Sequence, residues 1–338
     1  MMRAATVLGG GSFGTAIAVQ LARLGHDVLL WDRNPDRCAE MNHFRRNPRY
    51  LPDLVLPDNL RATDDLAEAA SHAELLVTVV PSHALRGVMR RAKSSILPGT
   101  LICCATKGIE EGTLETMSSV LAEELPEGCP ITVFSGPTFA EELAAGRPTT
   151  VVVAGDEASA ATVADAFHGG GLRVYHTDDV IGVCLGGSLK NVIAIACGIT
   201  DGLGLGQNAR AALITRGLAE ITRLTVAMGG EPLTMMGLAG LGDLVLTCTG
   251  SLSRNRRVGI ALGEGKTLQT ALDDLGQVAE GVITARSAYN LARKMDVEMP
   301  IVEQVYAVLY EGRPAKVALA ALMGRERKAE TEGLEAAE

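Results

Sequence analysis

Apolar runs that do not alternate with polar residues recur through the first half of the chain, with helical patterns between them. They predict strands at residues 5–8, 28–31, 75–80, 100–105, 131–134, 150–154 and 172–175. Strands that are apolar on both faces are typical of parallel sheets covered by helices. The pattern therefore predicts an α/β fold that begins with a doubly wound, mainly parallel sheet.

Helical periodicity replaces the strand pattern after about residue 178. Helices are predicted at residues 180–200, 208–228, 231–249 (broken by glycines), 254–262, 279–294 and 299–309. We therefore expect an α/β domain over residues 1–178 and an all-helical domain over residues 179–324. Residues 325–338 are charged and lack aliphatic periodicity, so a frayed tail is expected there.

A glycine-rich turn follows the first predicted strand. Gly9, Gly11 and Gly14 form a Gly-x-Gly-x-x-Gly pattern, a helix is predicted over residues 15–24, and the second strand is followed by Asp32. In Rossmann-type folds the first glycine makes a tight turn, the second lets the backbone approach a pyrophosphate, and the third packs the helix on the strand. These flanking elements favour a dinucleotide site over the alternative, a structural turn without a ligand.

Polar groups follow three later strands, at Pro81-Ser82, at Lys107 and at Ser135-Gly136. The carboxyl ends of parallel strands meet at one edge of a sheet, and ligands bind there in folds of this kind. We therefore expect these groups to line the edge that carries the glycine turn.

The segment at residues 180–200 is apolar except for Ser188, Lys190 and Asn191 at its centre. Burial of an unpaired ammonium group costs roughly several kcal/mol, so a partner or a lowered pKa is expected for Lys190. Three interpretations compete: a membrane span, a lysine that reaches solvent from a core helix, and a lysine held for chemistry in a cleft. The central polar pair and the lack of a flanking basic asymmetry argue against the span.

Two further segments carry polar side chains of interest. Residues 237–243 form a glycine-paced turn that ends in Asp243, and residues 251–257 gather Ser, Arg and Asn where a helix is predicted to begin, with Ser253 as its N-cap. Donors at a helix N-terminus can bind a phosphate. On the residues alone, a turn aspartate and a capped helix with a solvated basic face remain open alternatives.

Charge and cysteine content narrow the function classes. The net charge of −9 argues against a nucleic-acid or membrane-surface binder, so an anionic ligand needs a local basic site. The seven cysteines form no Cys-x-x-Cys pair and no histidine cluster accompanies them, which predicts free thiols in a reducing compartment and no metal site. The sequence starts without a secretory signal pattern, so a cytoplasmic protein is expected.

Together these segments resemble bacterial NAD(P)-dependent glycerol-3-phosphate dehydrogenases. The Gly-x-Gly-x-x-Gly pattern is shared widely, whereas the SLKN, LAGLGDL and SRNRR segments together are specific. The resemblance covers nearly everything from the first strand to about Met323. The matching segments run in order: GGGSFGTAIA, VPSHALR, ATKGIE, SGPTFAEELAAGRPT, GGSLKNVIAIACGITDGLGLGQNARAALITRGLAE, GLAGLGDLVLTCTGSLSRNRR and AEG.

The resemblance implies a reaction, a cofactor and a set of site residues. The reaction is the reversible NAD(P)H-dependent reduction of dihydroxyacetone phosphate to sn-glycerol 3-phosphate, which supplies phospholipid synthesis, in a cytoplasmic homodimer. The catalytic residues implied are Lys190, Lys107 and Asp243. The cofactor contacts implied are Gly9, Gly11, Ser12, Phe13, Gly14, Arg33, Lys107, Ala140, Arg254, Val278 and Glu280. The substrate contacts implied are Lys107, Gly136, Thr138, Lys190, Asp243, Ser253, Arg254 and Asn255.

The implied chemistry suits a buried lysine. Reduction of a carbonyl leaves a developing alkoxide, which the ammonium group of Lys190 can stabilise and protonate; in reverse, the neutral amine removes the proton. Desolvation and a second lysine would pull the pKa of Lys190 toward neutrality, whereas Asp243 would oppose that shift, and the sequence leaves the balance open. Cys184 departs from the family pattern, because a polar or acidic residue is expected there.

The preferred dinucleotide and two alternative functions also remain open. Asp32 favours a free ribose 2′-hydroxyl and hence NAD, whereas Arg33 could accept the 2′-phosphate of NADP. A related dehydrogenase of a hydroxyacid or acyl thioester is disfavoured by the phosphate-type donors at residues 253–255. A dinucleotide sensor without turnover is disfavoured because it needs no proton-transfer residues such as Lys107, Lys190 and Asp243.

Overall fold

The computed structural model describes residues 4–327 and 329–330, which form two compact units. The first unit runs to Lys107 and resumes over Met117–Val180, and the second comprises Gly108–Thr116 and the chain from Ile181 onward. The segment Gly108–Thr116, which separates the two parts of the first unit in sequence, therefore belongs to the second unit. Of the predicted frayed tail, residues 328 and 331–338 lie outside the described residues.

The first unit contains an eight-stranded sheet of order β3-β2-β1-β4-β5-β6-β7-β8. Neighbouring strands are parallel except for β6 and β7. The prediction of a doubly wound, mainly parallel sheet is confirmed. The strands are β1 (Ala4–Leu8), β2 (Asp27–Trp31), β3 (Leu60–Thr63), β4 (Leu75–Thr78), β5 (Leu101–Cys104), β6 (Ile131–Ser135), β7 (Thr149–Ala154) and β8 (Leu172–Thr177).

Helices pack against this sheet and bury its aliphatic side chains. Phe134 on β6 and Phe167 are the largest fully buried side chains, with ring centroids 5.1 Å apart. The helices are α1 (Ser12–Arg23), α2 (Pro35–Phe44), α3 (Leu66–His72), α4 (Ser82–Ala92), α5 (Met117–Glu124), α6 (Ala140–Ala144) and α7 (Glu157–Phe167).

Strand β3 was not predicted from the sequence. It has only four residues, and Arg61 within it is exposed while its neighbours are buried. β3 lies at the edge of the sheet, where a polar residue can face solvent, so it lacks the continuous apolar run that marks the central strands.

The second unit is helical. A 3₁₀-helix at Pro232–Met236 and a π-helix at Leu238–Gly242 precede the short α-helix at Asp243–Thr249. The short helices at Leu268–Leu275 and Ala315–Met323 were not predicted from periodicity. The α-helices are α8 (Val180–Gly202), α9 (Gly206–Ala227), α10 (Asp243–Thr249), α11 (Arg254–Gly263), α12 (Leu268–Leu275), α13 (Glu280–Lys294), α14 (Pro300–Tyr310) and α15 (Ala315–Met323).

Helix α8 is the core helix of this unit. Every residue from 182 to 200 is buried. By length and composition α8 could span a membrane, but 89% of its most apolar window is buried within the protein. This burial is what a core helix requires, and it gives the apolar run an explanation that needs no lipid.

Helices α8 and α11 approach each other closely through glycine. A Cβ atom at Gly198 would lie 2.1 Å from the carbonyl oxygen of Arg256, a distance that no side chain tolerates. The glycines that line this contact are Gly198, Gly202, Gly259 and Gly263. The close approach packs α11 along the C-terminal part of α8.

Candidate active site

Two of the three glycines in the Gly-x-Gly-x-x-Gly pattern occupy positions where the backbone leaves no room for a side chain. Gly9 has φ of +129°, and a Cβ atom there would lie 3.0 Å from the carbonyl group of Val79. A Cβ atom at Gly14 would lie 1.8 Å from the carbonyl oxygen of Gly9. The turn can therefore keep its shape only with glycine at both positions.

The N-terminus of α1 fits a pyrophosphate. Its N-cap residue is Gly11, no side chain within the described chain caps it, and a Cβ atom at Gly11 would meet nothing within 4 Å. The first-turn N–H groups, which include those of Ser12 and Phe13, are thus the kind of donors that hold phosphate oxygens. Both residues are partly exposed, and the ring of Phe13 lies 6.4 Å from that of Phe134.

Asn47 holds the glycine turn from behind. Its side-chain amide donates to the carbonyl oxygen of Gly10 at 2.9 Å and to the hydroxyl of Thr15 at 2.8 Å, and the residue is fully buried. This residue was not found from the sequence, because it lies in a loop with no periodic pattern.

The carboxyl edge of the sheet collects the polar groups that were expected there. The strands β1, β4, β5 and β6 are parallel neighbours, so Lys107 and Gly136 follow strands that end on the same edge as the glycine turn. Lys107 is half-buried, and the Thr106 hydroxyl before it donates to the carbonyl oxygen of Val80 at 3.0 Å.

The segment after β6 is tightly packed. Gly136 has φ of +137°, and a Cβ atom there would lie 2.9 Å from Cα of Val151. The hydroxyl of Thr138 donates to the carbonyl oxygen of Gly136 at 3.2 Å, and Ala140 begins α6. The Ser135 hydroxyl is buried and has no hydrogen-bond partner among the described residues. An unsatisfied buried hydroxyl at this edge is compatible with a polar ligand.

In the second unit, Lys190 and Asp243 form a buried ion pair. The ammonium group of Lys190 donates to Oδ1 of Asp243, and the two residues are 6% and 0% exposed. Asp243 is the first residue of α10, which continues directly from the π-helix, and its backbone N–H is bonded to carbonyl groups of that π-helix. The interpretation of Lys190 as a lysine that reaches solvent is therefore wrong.

The π-helix before α10 brings Asp243 to this position. A Cβ atom at Gly240 within it would lie 2.3 Å from the carbonyl oxygen of Met235, so the segment closes tightly on the preceding 3₁₀-helix. The hydroxyl of Thr247 donates to the backbone carbonyl of Asp243 at 2.6 Å. Single π-helical turns of this kind are frequent at functional sites.

Ser188 ties segment Gly108–Thr116 to α8. Its Oγ accepts a hydrogen bond from the N–H of Gly108 at 2.9 Å and lies 2.7 Å from the carbonyl oxygen of Cys184, to which it can donate. Gly108, which follows Lys107 in the chain, is thereby bonded to Ser188, which lies two residues before Lys190. The backbone of Cys184, rather than a polar side chain, takes part in this contact.

Asn255 joins three helices. Its Nδ2 donates to Oδ1 of Asn191 on α8 at 2.9 Å, and its Oδ1 accepts from the N–H of Gly281 on α13 at 2.9 Å. Asn255 is buried, and a Cβ atom at Gly281 would lie 2.6 Å from the carbonyl oxygen of Asn191. Asn191 was recognised as polar from the sequence, but no role was predicted for it. The structure shows that its Oδ1 accepts the hydrogen bond that joins α8 to α11.

The remaining predicted residues of this unit lie close to Asn255 or Gly281 in sequence. Ser253 caps α11, accepting from the N–H of Arg256 at 3.3 Å, so the capped helix expected as an alternative is present. Arg254 is exposed, with Nη1 3.5 Å from Oε1 of Gln277. Val278 is 41% exposed, and Glu280 begins α13.

The structure thus gathers the predicted residues in two sets. The first unit holds Gly9, Gly11, Ser12, Phe13, Gly14, Arg33, Lys107, Gly136, Thr138 and Ala140. The second unit holds Lys190, Asp243, Ser253, Arg254, Asn255, Val278 and Glu280. Within the described residues, no three His, Cys, Asp or Glu side chains are arranged to hold a metal ion.

Both units are similar to known protein families. A family model described as NAD-dependent glycerol-3-phosphate dehydrogenase N-terminus matches residues 4–161. The model described as the C-terminus of the same enzyme matches residues 179–320. The NAD(P)+ glycerol-3-phosphate dehydrogenase of Anaeromyxobacter dehalogenans is 54% identical over 329 residues, which cover 96% of this chain and 99% of that protein.

Further relatives agree in sequence and in structure. The corresponding dehydrogenase of Pseudoalteromonas translucida is 50% identical, with 97% of this chain and 98% of that protein covered. The crystal structure of glycerol-3-phosphate dehydrogenase from Coxiella burnetii has a TM-score of 0.92 at 44% identity, and covers 96% of this chain and 99% of its own. The similarity therefore extends over both units.

Proposed function

Because the chain belongs to the NAD-dependent glycerol-3-phosphate dehydrogenase family, we propose that the buried pair of Lys190 and Asp243 performs its proton transfer. The activity is that of an oxidoreductase, a glycerol-3-phosphate dehydrogenase that uses NAD(P). The observation that carries the catalytic proposal is an ammonium group that is buried and held by a buried carboxylate.

A dinucleotide held at the glycine turn of Gly9, Gly11 and Gly14 would supply or accept the hydride. The task of Lys190 is to donate a proton to the alkoxide oxygen that forms when dihydroxyacetone phosphate is reduced, and to accept it when sn-glycerol 3-phosphate is oxidised. Asp243 accepts one N–H of the ammonium group and so fixes where Nζ lies. Because the pair is buried, its field on a developing charge is screened far less than it would be in water.

The second task of the chain is to hold the phosphate of the substrate. Arg254 is exposed at the N-terminus of α11, where its charge and the first-turn N–H groups suit an anion. Asn255 and Ser253 support this end of the helix through their contacts with Asn191, Gly281 and Arg256. We assign further substrate contacts to Lys107, Gly136 and Thr138.

The dinucleotide is assigned to the glycine turn. Gly9 and Gly14 shape the turn, Gly11 lets a phosphate approach, and the N–H groups of Ser12 and Phe13 are its donors. The further contacts that we assign to the dinucleotide are Arg33, Lys107, Ala140, Arg254, Val278 and Glu280.

We also propose that the protein is a cytoplasmic homodimer that supplies glycerol phosphate for phospholipid synthesis. Two large apolar side chains of the 3₁₀-helix at Pro232–Met236 support an association face, since Leu233 is 74% exposed and Met236 is 71% exposed. Light scattering of the unsubstituted protein and of Leu233→Glu would test this, with loss of the dimer in the variant as the expected result.

An absorbance assay tests the function directly. Oxidation of NADH or NADPH on addition of dihydroxyacetone phosphate is the expected result. Turnover with a ketoacid or an acyl thioester, but not with dihydroxyacetone phosphate, would favour a related dehydrogenase instead. Binding of the dinucleotide without turnover of any of these compounds would favour a sensor.

A further inference from the structure

The carboxylate that follows β2 is held by the protein itself. Asp32 is 5% exposed, and its Oδ1 accepts hydrogen bonds from the backbone N–H of Asn34 at 2.9 Å and from the guanidinium group of Arg37. Its Oδ2 packs against Gly10, where a Cβ atom would lie 2.4 Å away. Both oxygens therefore face protein atoms.

Arg37 neutralises this carboxylate in a protected environment. The side chains of Arg37 and Asp32 are 14% and 6% exposed, so solvent and salt screen the pair only weakly. In dinucleotide-binding folds, a free carboxylate at this position binds the ribose 2′-hydroxyl of NAD, and its charge opposes the 2′-phosphate of NADP. A carboxylate that is already paired exerts little of that opposition.

Further guanidinium groups surround the end of β2. The guanidinium carbon of Arg37 lies 5.4 Å from the centre of the Tyr50 ring, and that of Arg49 lies 5.6 Å from the same ring. Arg33 follows Asp32 and is exposed, while Asp36 in the first turn of α2 is the acidic neighbour. This loop region is thus basic in a chain whose net charge is −9.

We propose that Arg37 sets the dinucleotide preference: its pairing with Asp32 lets the site accept the 2′-phosphate of NADP(H), for which Arg33 and Arg49 supply the positive charge. Arg37 acts through Asp32 and is a specificity-determining residue. The inference rests on the proposed dinucleotide function and decides between the two cofactors that the sequence left open.

Trp31 provides a measurement that does not depend on catalysis. It is the single tryptophan of the chain and directly precedes Asp32. Its emission overlaps the absorption of reduced nicotinamide, so quenching by NADPH or NADH, without substrate, yields a dissociation constant for each. The unsubstituted protein is expected to bind NADPH more tightly than NADH.

Arg37→Gln exposes the dinucleotide to an unpaired Asp32. The dissociation constant of NADPH is expected to rise about tenfold, while that of NADH changes by less than about threefold, because only NADPH carries the additional phosphate charge. Arg61→Gln is the charge-matched control, since Arg61 lies in the same unit and pairs with Glu68 on the surface. It is expected to leave both constants within about twofold.

The double variant Asp32→Asn/Arg37→Gln separates neutralisation from direct contact. If Arg37 acts through Asp32, NADPH binding returns to within about threefold of the unsubstituted protein. Asp32→Asn alone should tighten NADPH binding, and this variant tests the inference even if Arg37→Gln fails to fold.

Three results would each overturn the inference. They are equal weakening of both dinucleotides in Arg37→Gln, no recovery in the double variant, and an NADH preference in the unsubstituted protein. Failure of the unsubstituted protein to bind either dinucleotide would overturn the proposed function with it.

Discussion

Lys190 on α8 donates a hydrogen bond to Asp243 on α10, which lies 53 residues further along the chain, and the two side chains are only 8% and 1% exposed. Such a pair is costly to desolvate and is stable only while both partners are present. Substitution of either residue is therefore expected to lower both the catalytic rate and the free energy of unfolding.

Removal of the ammonium group tests the catalytic role. Lys190→Ala is expected to lower kcat by at least about two orders of magnitude, the range of general acid–base catalysis, because no other group is assigned to deliver the proton. NADPH binding, followed by Trp31 quenching, should be retained, since the glycine turn belongs to the other unit. Near-normal turnover in this variant would refute the assignment.

Removal of the carboxylate tests the stability of the pair. Asp243→Ala removes the carboxylate that accepts from a buried ammonium group, and we expect a loss of about 3–5 kcal/mol in the free energy of unfolding. Lys190→Met/Asp243→Ala, which removes both charges, should recover much of this loss. Urea unfolding of Asp243→Ala, of Lys190→Met and of the double variant measures the difference, and a loss in the double variant equal to the sum of the two single losses would show that the two side chains are not coupled.

The phosphate site is tested by two arginines on one helix. Arg254→Ala is expected to raise KM for dihydroxyacetone phosphate about tenfold to a hundredfold, since a hydrogen bond to a charged group contributes about 1.5–3 kcal/mol. Arg257, three residues later on α11 and also exposed, provides the control. Arg257→Ala should leave KM nearly unchanged, and an unchanged KM in Arg254→Ala would remove Arg254 from the substrate site.

The glycine contact between α8 and α11 is tested by adding one methyl group. Gly198→Ala places Cβ 2.1 Å from the carbonyl oxygen of Arg256, so the helices must separate, with an expected loss of about 1–3 kcal/mol. Gly87→Ala is the control: Gly87 lies within α4, and its added Cβ would meet nothing within 4 Å. That change should stabilise the protein by about 0.5–1 kcal/mol through helix propensity. A Gly198→Ala variant as stable as the unsubstituted protein would show that the two helices can accommodate a methyl group at this contact.

The sequence predicted most of the fold because burial on both faces leaves a direct pattern. Continuous apolar runs located the central strands, and the long apolar segment around Lys190 located α8. The edge strand β3 was missed because Arg61 faces solvent there. Helices α12 and α15 were missed because they are short and have few buried residues, Ala271 and Ala318 respectively.

The polar contacts of the site were harder to predict. A partner for Lys190 was expected from the cost of burying its charge, but its identity as Asp243 depends on how distant helices pack. The contacts of Arg37 with Asp32 and of Asn47 with Gly10 depend on loop conformations that have no period in sequence. Asn255 was assigned to the substrate through a family resemblance, and only the structure reveals that the nitrogen and the oxygen of its side-chain amide are bonded to Asn191 and Gly281 respectively.

Glu220 makes the stability of the helical unit depend on pH. It is 2% exposed, and its two carboxylate oxygens accept from the N–H groups of Ile301 at 2.8 Å and Val302 at 3.2 Å, at the N-terminus of α14. Burial outweighs these two hydrogen bonds and raises the pKa of Glu220 to about 7, from 4.5. The folded state therefore binds this proton more tightly than the unfolded state does.

The sign of the pH effect follows from the raised pKa. The stabilisation is fully present below about pH 4.5 and is lost as the pH rises through about 7. Between about pH 5 and about pH 8, the free energy of unfolding of the unsubstituted protein should fall by about 2–3 kcal/mol more than that of Glu220→Gln, whose neutral amide mimics the protonated acid. Arg90 and Arg86 lower the pKa of Glu124 to about 2, so this residue stays ionised over that range and Glu124→Gln is the control. Urea midpoints at both pH values measure the slopes; equal slopes for the unsubstituted protein and Glu220→Gln would mean that Glu220 is already ionised when folded.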